Sequence, residues 1–192
     1  MTTLEPERLY AYLDAVWTQR EVEGAVVEVG CFLGGTAALA SRMMKNLGIS
    51  KRYVAIDTFT GFVPDHFERD AAEGVSEKRR DDFRADEQTV RRLLRSWGAP
   101  EVEVLKADVA TLDEENLPES ISLALVDVDL EVPTYEGLRL VMSRLGPGGL
   151  VLVDDCNEGA EWTGAKRGYQ RFVQDHRLPE EYHLGLGVAR RP

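Results

Sequence analysis

Three observations predict an α/β protein of a single domain. Its sheet is predicted to be doubly wound, mostly parallel and Rossmann-like. Residues 26–36, VVEVGCFLGGT, run from a β-branched strand through a glycine-rich turn into a helix-forming segment. Near-continuously apolar strand segments such as ISLALVDVD alternate with helical ones, as in parallel sheets covered on both faces. The length of 192 residues suits one domain with a sizeable core.

The individual elements follow from the spacing of apolar residues and from residues that end helices. Gly48 closes the helix that follows the glycine turn. Residues 111–119 form a short helix or turn, GPGG is a stop signal, and the tail forms one or two short closing strands. The spacing predicts helices at residues 6–20, 35–47, 86–97, 132–145 and 163–176, and strands at 25–29, 52–57, 101–108, 121–129 and 150–156.

The N-terminal helix, within residues 1–24, is predicted to be amphipathic. Its apolar face packs on the domain or, in a homo-oligomer, on a partner subunit. We expect core packing to be its role. The face consists of Leu9, Tyr10, Leu13, Val16 and Trp17.

Composition and charge exclude several classes of partner. The formal net charge is −11, with 23 basic residues against 34 acidic ones, which disfavours nucleic acid and anionic membrane surfaces. No apolar run reaches membrane-spanning length and the N-terminus lacks a secretory signal, so we expect a cytoplasmic protein. Cys31 and Cys156 have no metal-ligand spacing and are predicted to be reduced thiols.

The glycine-rich turn predicts a nucleotide-like ligand at the first strand end, where a helix start offers free N–H groups. Phe32 stands where a dinucleotide site has its second glycine, and Glu28 adds a carboxylate beside the turn. Bulk and negative charge oppose a diphosphate, whereas a carboxylate suits the amine and sulfonium of S-adenosylmethionine. The alternative is an ordinary glycine-rich connection between a strand and a helix.

Two further acids follow the next strands of the predicted sheet. Asp57 comes 22 residues after Gly35, close to the spacing at which an acid binds ribose hydroxyls. Asp108 ends the third strand, where its side chain can accept a hydrogen bond from the adenine amine. For Asp57 the alternative is a helix cap or a solvated loop acid.

Four acids follow two neighbouring strands, Asp127 and Asp129 after one, Asp154 and Asp155 after the other. Two unit charges about 4 Å apart repel by roughly 1 kcal/mol in water and about 4 kcal/mol at an effective dielectric of 20, so a cation or proton must compensate. Oxygen ligands without histidine or cysteine favour Mg²⁺, or Mn²⁺ or Ca²⁺, over zinc. The alternative is that these acids cap helices or bind backbone amides.

Residues 58–100 are predicted to hold a lid or a substrate-recognition insert, because a charged run follows the second strand on the ligand side. The alternative is a solvated charged face. His66 could contact substrate from this segment, but no partner for it is visible in the sequence.

Taken together, VVEVGCFLGGTA, IDTFTGF, LVDVDLEVPT and GPGGLVLVDDCNEGAEWTGAKRGYQRF resemble the macrocin-type O-methyltransferases over residues 25–173. The resemblance implies a class I methyltransferase fold, S-adenosylmethionine as cofactor, and a hydroxyl of an antibiotic sugar or related natural product as methyl acceptor. It implies Asp129 as general base, Asp57 on the ribose and Asp108 near the adenine. It also implies Mg²⁺ on Asp127, Asp154 and Asp155, and Glu28, Gly30, Gly34 and Thr36 at the methionine end of the cofactor.

The sequence departs from that family on the substrate side. Only about 24 residues precede the first strand, where the family usually has a longer helical lid, and Glu131 stands where it often has an aromatic residue. Three alternative functions stay open: a metal-dependent catechol-type O-methyltransferase, a haloacid-dehalogenase-type phosphatase, and a catalytically silent S-adenosylmethionine-binding protein. The phosphatase conflicts with position, because its aspartate pair belongs after the first strand.

Overall fold

The computed structural model describes residues 2–74, 83–159 and 163–191. Its helices and strands follow one another along the chain in largely alternating order. The helices are α1 (Pro6–Thr18), α2 (Gly35–Asn46), α3 (Pro64–Ala72), α4 (Glu87–Ser96), α5 (Glu131–Ser143) and α6 (Thr163–Asp175), with a 3₁₀ turn at Glu114–Asn116. The strands are β1 (Ala25–Val29), β2 (Tyr53–Asp57), β3 (Glu103–Lys106), β4 (Ile121–Val126), β5 (Leu145–Val153), β6 (Glu181–His183) and β7 (Leu186–Arg190).

Within the described residues the strands form one sheet of order β3-β2-β1-β4-β5-β7-β6. The first five run parallel, and β7 and β6 close the edge in antiparallel pairing. The order reverses between β1 and β4, which is where doubly wound sheets open a ligand crevice. The predicted fold class, a mostly parallel doubly wound sheet in a single domain, is confirmed.

Strand register explains why the predicted site residues meet at one edge. Val29 pairs with Ile56 on one side and with Val126 on the other, and Val126 pairs with Val153. The residues immediately beyond these positions therefore emerge side by side from four neighbouring strands. They are Gly30, Asp57, Asp127 and Asp154.

The core lies on both faces of the sheet, and every residue of β1 and β4 is buried. One apolar cluster packs the sheet against α1, α2 and α4, and the other packs it against α5 and α6. Cys31 and Cys156 are free and buried within these clusters. Parallel strands covered on both faces in this way give the unbroken apolar runs seen in the sequence.

Three details differ from the predictions. The GPGG segment does not separate helix from strand, because β5 already begins at Leu145 and runs through it. The predicted buried face of α1 is only partly correct: Val16 is buried, but Tyr10 is 65% and Trp17 41% exposed. Its buried residues are Arg8, Ala11, Tyr12, Ala15 and Val16.

The helix α3 is the third difference, since apolar periodicity did not predict it. The only one of its residues that is buried is Asp70. A helix whose anchoring side chain is a carboxylate carries no apolar pattern for sequence reasoning to detect. The charged run that follows α3 lies partly outside the described residues, so the lid remains a prediction. In the described parts of the chain, no helix combines the length and apolar character needed to cross a membrane.

Candidate functional site

A cavity of about 530 Å³ opens at the carboxyl ends of the parallel strands. Among its lining residues are nine of the ten side chains or backbone positions that the sequence predicts for the site. The tenth, Gly34, lies just behind the cavity wall as the N-cap of α2. The nine are Glu28, Gly30, Thr36, Asp57, Asp108, Asp127, Asp129, Asp154 and Asp155.

Gly30 brings the turn after β1 against the turn after β4. Its φ is +88°, and a Cβ atom there would lie 1.7 Å from the carbonyl oxygen of Asp127. No side chain fits in that space, and L residues rarely adopt that φ. The glycine therefore joins the predicted cofactor turn to the predicted acidic cluster.

Asp57 shapes the glycine-rich turn through its side chain. Its Oδ2 accepts hydrogen bonds from the backbone N–H groups of Cys31 at 2.9 Å and Phe32 at 2.8 Å. Its Oδ1 accepts one from Phe59 N at 2.7 Å. Burial raises the pKa of this carboxyl, and the backbone hydrogen bonds oppose that rise. Asp57 thus binds backbone amides, and it also lines the cavity where a ribose was predicted.

Asp108 and Thr36 mark opposite parts of the cavity. Asp108 Oδ1 accepts a hydrogen bond from Ala110 N at 3.0 Å, which fixes the turn after β3. Thr36, in the first turn of α2, shares a hydrogen bond of 2.6 Å with the hydroxyl of Thr2. The N-terminal segment therefore closes over the start of α2, and Thr2 and Thr3 join the cavity wall.

Glu28 is a buried carboxyl at the floor of the cavity, 1% exposed. The hydroxyl of Tyr53 donates a hydrogen bond to Glu28 Oε2, and Tyr12 of α1 is hydrogen-bonded to Tyr53 at 2.7 Å. Burial raises the pKa of Glu28 to about 8, the Tyr53 hydrogen bond opposes this, and Asp57 adds to it. Burial thus favours the protonated form of Glu28, and a cationic ligand beside it would favour the carboxylate.

The structure brings the four predicted aspartates together. Burial, followed by the charges of Asp154 and Asp129, raises the pKa of Asp127 well above its usual range. Burial and the adjacent Asp155 do the same for Asp129. The pKa of Asp154 is raised to about 6, again mainly by burial. Mutual elevation of pKa values is the signature of carboxylates that share one site.

Arg8 of α1 lies in this acidic cluster, and sequence reasoning missed it. Its Nη1 donates to Asp154 Oδ1 at 2.7 Å and to Asp155 Oδ1 at 2.6 Å, and the residue is only 8% exposed. The available signal was helical spacing, because Arg8 precedes Tyr12 by one turn and shares its buried face. A guanidinium thus compensates part of the charge for which the sequence predicts a metal ion.

In this arrangement a guanidinium takes the place that the sequence predicts for a divalent ion. Carboxylate oxygens suit Mg²⁺ chemically. However, Arg8 already occupies Asp154 and Asp155, and the described part of the chain has no group of three His, Cys, Asp or Glu residues arranged to hold a metal. The Arg8 guanidinium is therefore the cation that these two carboxylates have in the folded chain.

Asp129, the predicted general base, occupies a strained turn on the cavity wall. Its φ is +62°, and Leu130 N donates to Val128 O at 2.6 Å across it. A hydrogen bond spanning one residue with positive φ is characteristic of the rare, strained γ-turn. Such strain concentrates at functional sites and persists only where the surroundings enforce it.

The wall of the cavity beside the glycine turn is aromatic. The ring of Phe83 lies edge-on to those of Phe32 and Phe62, with centroids 5.5 Å apart in both pairs. His66 and Asn157 also line the cavity, and His66 Nδ1 and Asn157 Oδ1 are buried without a hydrogen-bond partner among the described residues. Aromatic faces with nearby polar atoms can hold the apolar and hydroxyl-bearing sides of an organic acceptor.

Three solved structures with this architecture are methyltransferases. The chain is 20% identical to the O-methyltransferase NovP, with a TM-score of 0.85 over 99% of this chain and 81% of NovP. The calicheamicin methyltransferase CalS11 gives 22% identity and a TM-score of 0.71 over 95% of this chain and 78% of that one. Its apo structure gives 21% identity and a TM-score of 0.59 over the same shares, 95% and 78%. At these identities the likeness shows the fold.

The family is shown by a different comparison. No curated protein matches the chain. The family model described as macrocin-O-methyltransferase (TylF), in contrast, matches residues 6–184, which span both the glycine turn and all four aspartates of the site. The chain therefore belongs to the macrocin-O-methyltransferase (TylF) family of S-adenosylmethionine-dependent O-methyltransferases, with the class I methyltransferase fold that the sequence predicted.

Proposed function

We propose that this enzyme methylates a hydroxyl of a small natural product, with an antibiotic sugar as the acceptor class and Asp129 as the general base. One observation carries the proposal: Glu28, the glycine turn and Asp129 line the same cavity of about 530 Å³. A methyl donor and an acceptor hydroxyl can therefore be held in contact, which is the main requirement of a direct transfer.

The acceptor class is supported by the relatives. NovP is described as an O-methyltransferase, and CalS11 as a TDP-rhamnose 3′-O-methyltransferase of calicheamicin biosynthesis. The aromatic wall of Phe62 and Phe83 suits a sugar, whose C–H face packs on aromatic rings.

The cofactor assignment follows the positions of the cavity-lining residues. Glu28, Gly30 and Thr36 lie at the end that suits the methionine amine, and Gly34 starts the helix behind them. Asp57 and Asp108, after β2 and β3, line the same cavity, which supports their assignment to the ribose and the adenine. S-adenosylmethionine, when bound, supplies the electrophilic methyl group. Burial raises the pKa of Glu28, and a positively charged ligand beside it would favour the carboxylate form.

Asp129 performs the proton transfer in the proposed mechanism. Burial, followed by the charge of Asp155, raises its pKa well above that of an ordinary aspartate, which makes its carboxylate a stronger base. Asp129 accepts the hydroxyl proton as the oxygen becomes nucleophilic. Arg8 holds Asp154 and Asp155 in place beside it.

A direct transfer assay tests the proposal. Wild-type enzyme receives S-adenosylmethionine with TDP-rhamnose, a simple rhamnoside or a catechol, and mass spectrometry detects the methylated product. We expect methylation of a sugar hydroxyl, and Asp129→Asn to lower kcat by about 10²- to 10⁴-fold with unchanged affinity for S-adenosylhomocysteine.

The matched control is Asp113→Asn, which removes an exposed carboxylate away from the cavity and keeps wild-type kcat. Equal rates for wild type and Asp129→Asn would exclude this residue as the base. Preference for the catechol would favour the catechol-type enzyme, for which the aromatic wall is the supporting observation. Release of phosphate from phosphate esters would indicate a phosphatase, and binding of S-adenosylhomocysteine without any transfer a silent binding protein.

The magnesium ion predicted from the sequence stays a prediction. Calorimetric titration of metal-free protein with MgCl₂, with and without S-adenosylhomocysteine, measures binding directly. The same preparation assayed in EDTA shows whether turnover depends on the ion. The Arg8→Lys variant keeps a cation near Asp154 and Asp155 but loses the planar guanidinium. Its Mg²⁺ titration is compared with that of the wild type.

A further inference from the structure

The helix α3 is connected to the acidic side of the cavity through Asp70. This side chain is 2% exposed, and its Oδ2 accepts a hydrogen bond from Glu131 N at 3.0 Å. Glu131 is the first residue of α5, and the N-cap residue Leu130 contributes no side-chain hydrogen bond. An acid from another helix therefore caps α5, at the end where negative charge is most favourable.

The contact lies at a tight junction of three elements. A Cβ atom on Gly164 of α6 would lie 2.3 Å from Asp70 Oδ2, 2.8 Å from the carbonyl oxygen of Asp129 and 2.8 Å from Glu131 N. These three groups thus surround one glycine. Movement of any of them requires movement of the others, because packed interiors leave no spare volume.

A second connection holds α3 in the same place. Glu73, at the C-terminal end of α3, forms an ion pair of 2.6 Å with Arg167 of α6. The same guanidinium reaches Glu131 at 3.2 Å. Asp70 and Glu73 therefore connect α3 both to the N-terminus of α5 and to α6.

The strained turn at Asp129 is immediately adjacent to this junction. Its positive φ and the short hydrogen bond from Leu130 N to Val128 O need external support. Two atoms of the junction belong to the turn or directly follow it, namely Asp129 O and Glu131 N. The junction therefore packs directly against the strained turn.

We propose that Asp70 is a positioning residue for methyl transfer, which caps α5 and thereby fixes the Asp129 turn toward the cavity. The proposal rests on the assignment of Asp129 as general base. The proposal extends that assignment by giving α3 a defined role. The Asp70 carboxylate holds the base, Asp129, in place from outside the cavity. If Asp70 only anchored α3, its loss would lower stability without affecting the chemistry of the folded enzyme.

Asp70→Ala and Asp70→Asn separate these roles, because the asparagine amide oxygen can still accept from Glu131 N. With the acceptor that wild type methylates among TDP-rhamnose, the rhamnoside and the catechol, we expect Asp70→Ala to lower kcat on the order of 100-fold. The dissociation constant of S-adenosylhomocysteine stays within about 2-fold, and Asp70→Asn recovers most of kcat. Asp65→Ala, which removes an exposed acid from the same helix, is the matched control and keeps wild-type kcat.

Amide hydrogen exchange gives a readout that does not need the acceptor. Asp70→Ala accelerates exchange at the N–H groups of Leu130 and Glu131, whereas Asp65→Ala does not. Gly164→Ala displaces the junction from the other side and lowers kcat with Asp70 intact. This variant keeps the proposal testable if Asp70→Ala does not fold.

Wild-type kcat in both Asp70→Ala and Gly164→Ala would overturn the proposal. So would a loss of kcat matched by an equal loss of S-adenosylhomocysteine affinity, or unchanged exchange at Leu130 and Glu131. If Asp129→Asn keeps wild-type kcat, the proposed base is wrong, and the exchange data still decide whether Asp70 holds the turn.

Discussion

The two sides of the cavity are built in different ways. The glycine side takes most of its predicted cofactor contacts from one continuous segment, Glu28 to Thr36. The acidic side is assembled from separate elements: the ends of β4 and β5 supply aspartates, α1 supplies Arg8, and α3 supplies the Asp70 cap. Gly30 is the point where the two sides touch.

This difference shows which contacts each side depends on. The glycine turn is held by neighbours in sequence and by backbone hydrogen bonds to Asp57. The acidic side depends on compensation of buried charge by a residue far away in the chain, because Arg8 is 146 residues from Asp154. We therefore expect distant substitutions to affect the acidic side more strongly.

The largest effect on stability is expected from Arg8→Ala. It leaves Asp154 and Asp155 buried without their guanidinium partner, and breaking a buried pair in this way costs about 3–5 kcal/mol. Denaturant unfolding measures the loss. Arg92→Ala, which removes an exposed ion pair with Asp86 at 4.0 Å, has little effect on stability and is the control. Similar losses for both variants would contradict the central role given to Arg8.

On the glycine side, the prediction concerns how protein stability depends on the ionisation of Glu28. Its pKa is about 8 in the folded protein against a usual value of 4.5, so the unfolded chain releases this proton at lower pH. Stability without ligand should therefore fall as pH rises from about 4.5 to about 8, by at most about 1.4 kcal/mol per pH unit. Glu28→Gln removes this slope.

Thermal unfolding of wild type and Glu28→Gln across that pH window measures the effect. The variant gains stability over wild type as pH rises, and it binds S-adenosylhomocysteine more weakly because the carboxylate is lost. Glu119→Gln, an exposed substitution, controls for removal of one acid. Parallel pH profiles for Glu28→Gln and wild type would show that Glu28 is already ionised in the free protein.

The smallest effect is expected where the N-terminal segment meets the glycine side. Thr2→Val removes the 2.6 Å hydrogen bond to Thr36, a change worth about 0.5–1.5 kcal/mol. Calorimetry should show a modest weakening of S-adenosylhomocysteine binding with unchanged kcat. A large fall in kcat would instead mean that the N-terminal segment acts on the acidic side.

The predictions were correct where a feature depends on one strand and the turn that follows it. Unbroken apolar runs placed β1, β4 and β5, and parallel order then brought their terminal acids to one edge. The failures have a common cause. The buried face of α1 was predicted only in part because Arg8 and Tyr12 point inward, and α3 was missed because its one buried side chain is Asp70.

By itself, the sequence determined the doubly wound sheet, the glycine turn and the aspartates at the strand ends, since periodicity and turn chemistry are local properties. Only the tertiary structure decided that Arg8 compensates Asp154 and Asp155 and that Asp70 caps α5 beside Asp129. These buried polar side chains pair with residues that are distant in the sequence. Their roles become visible only once folding has brought those partners together.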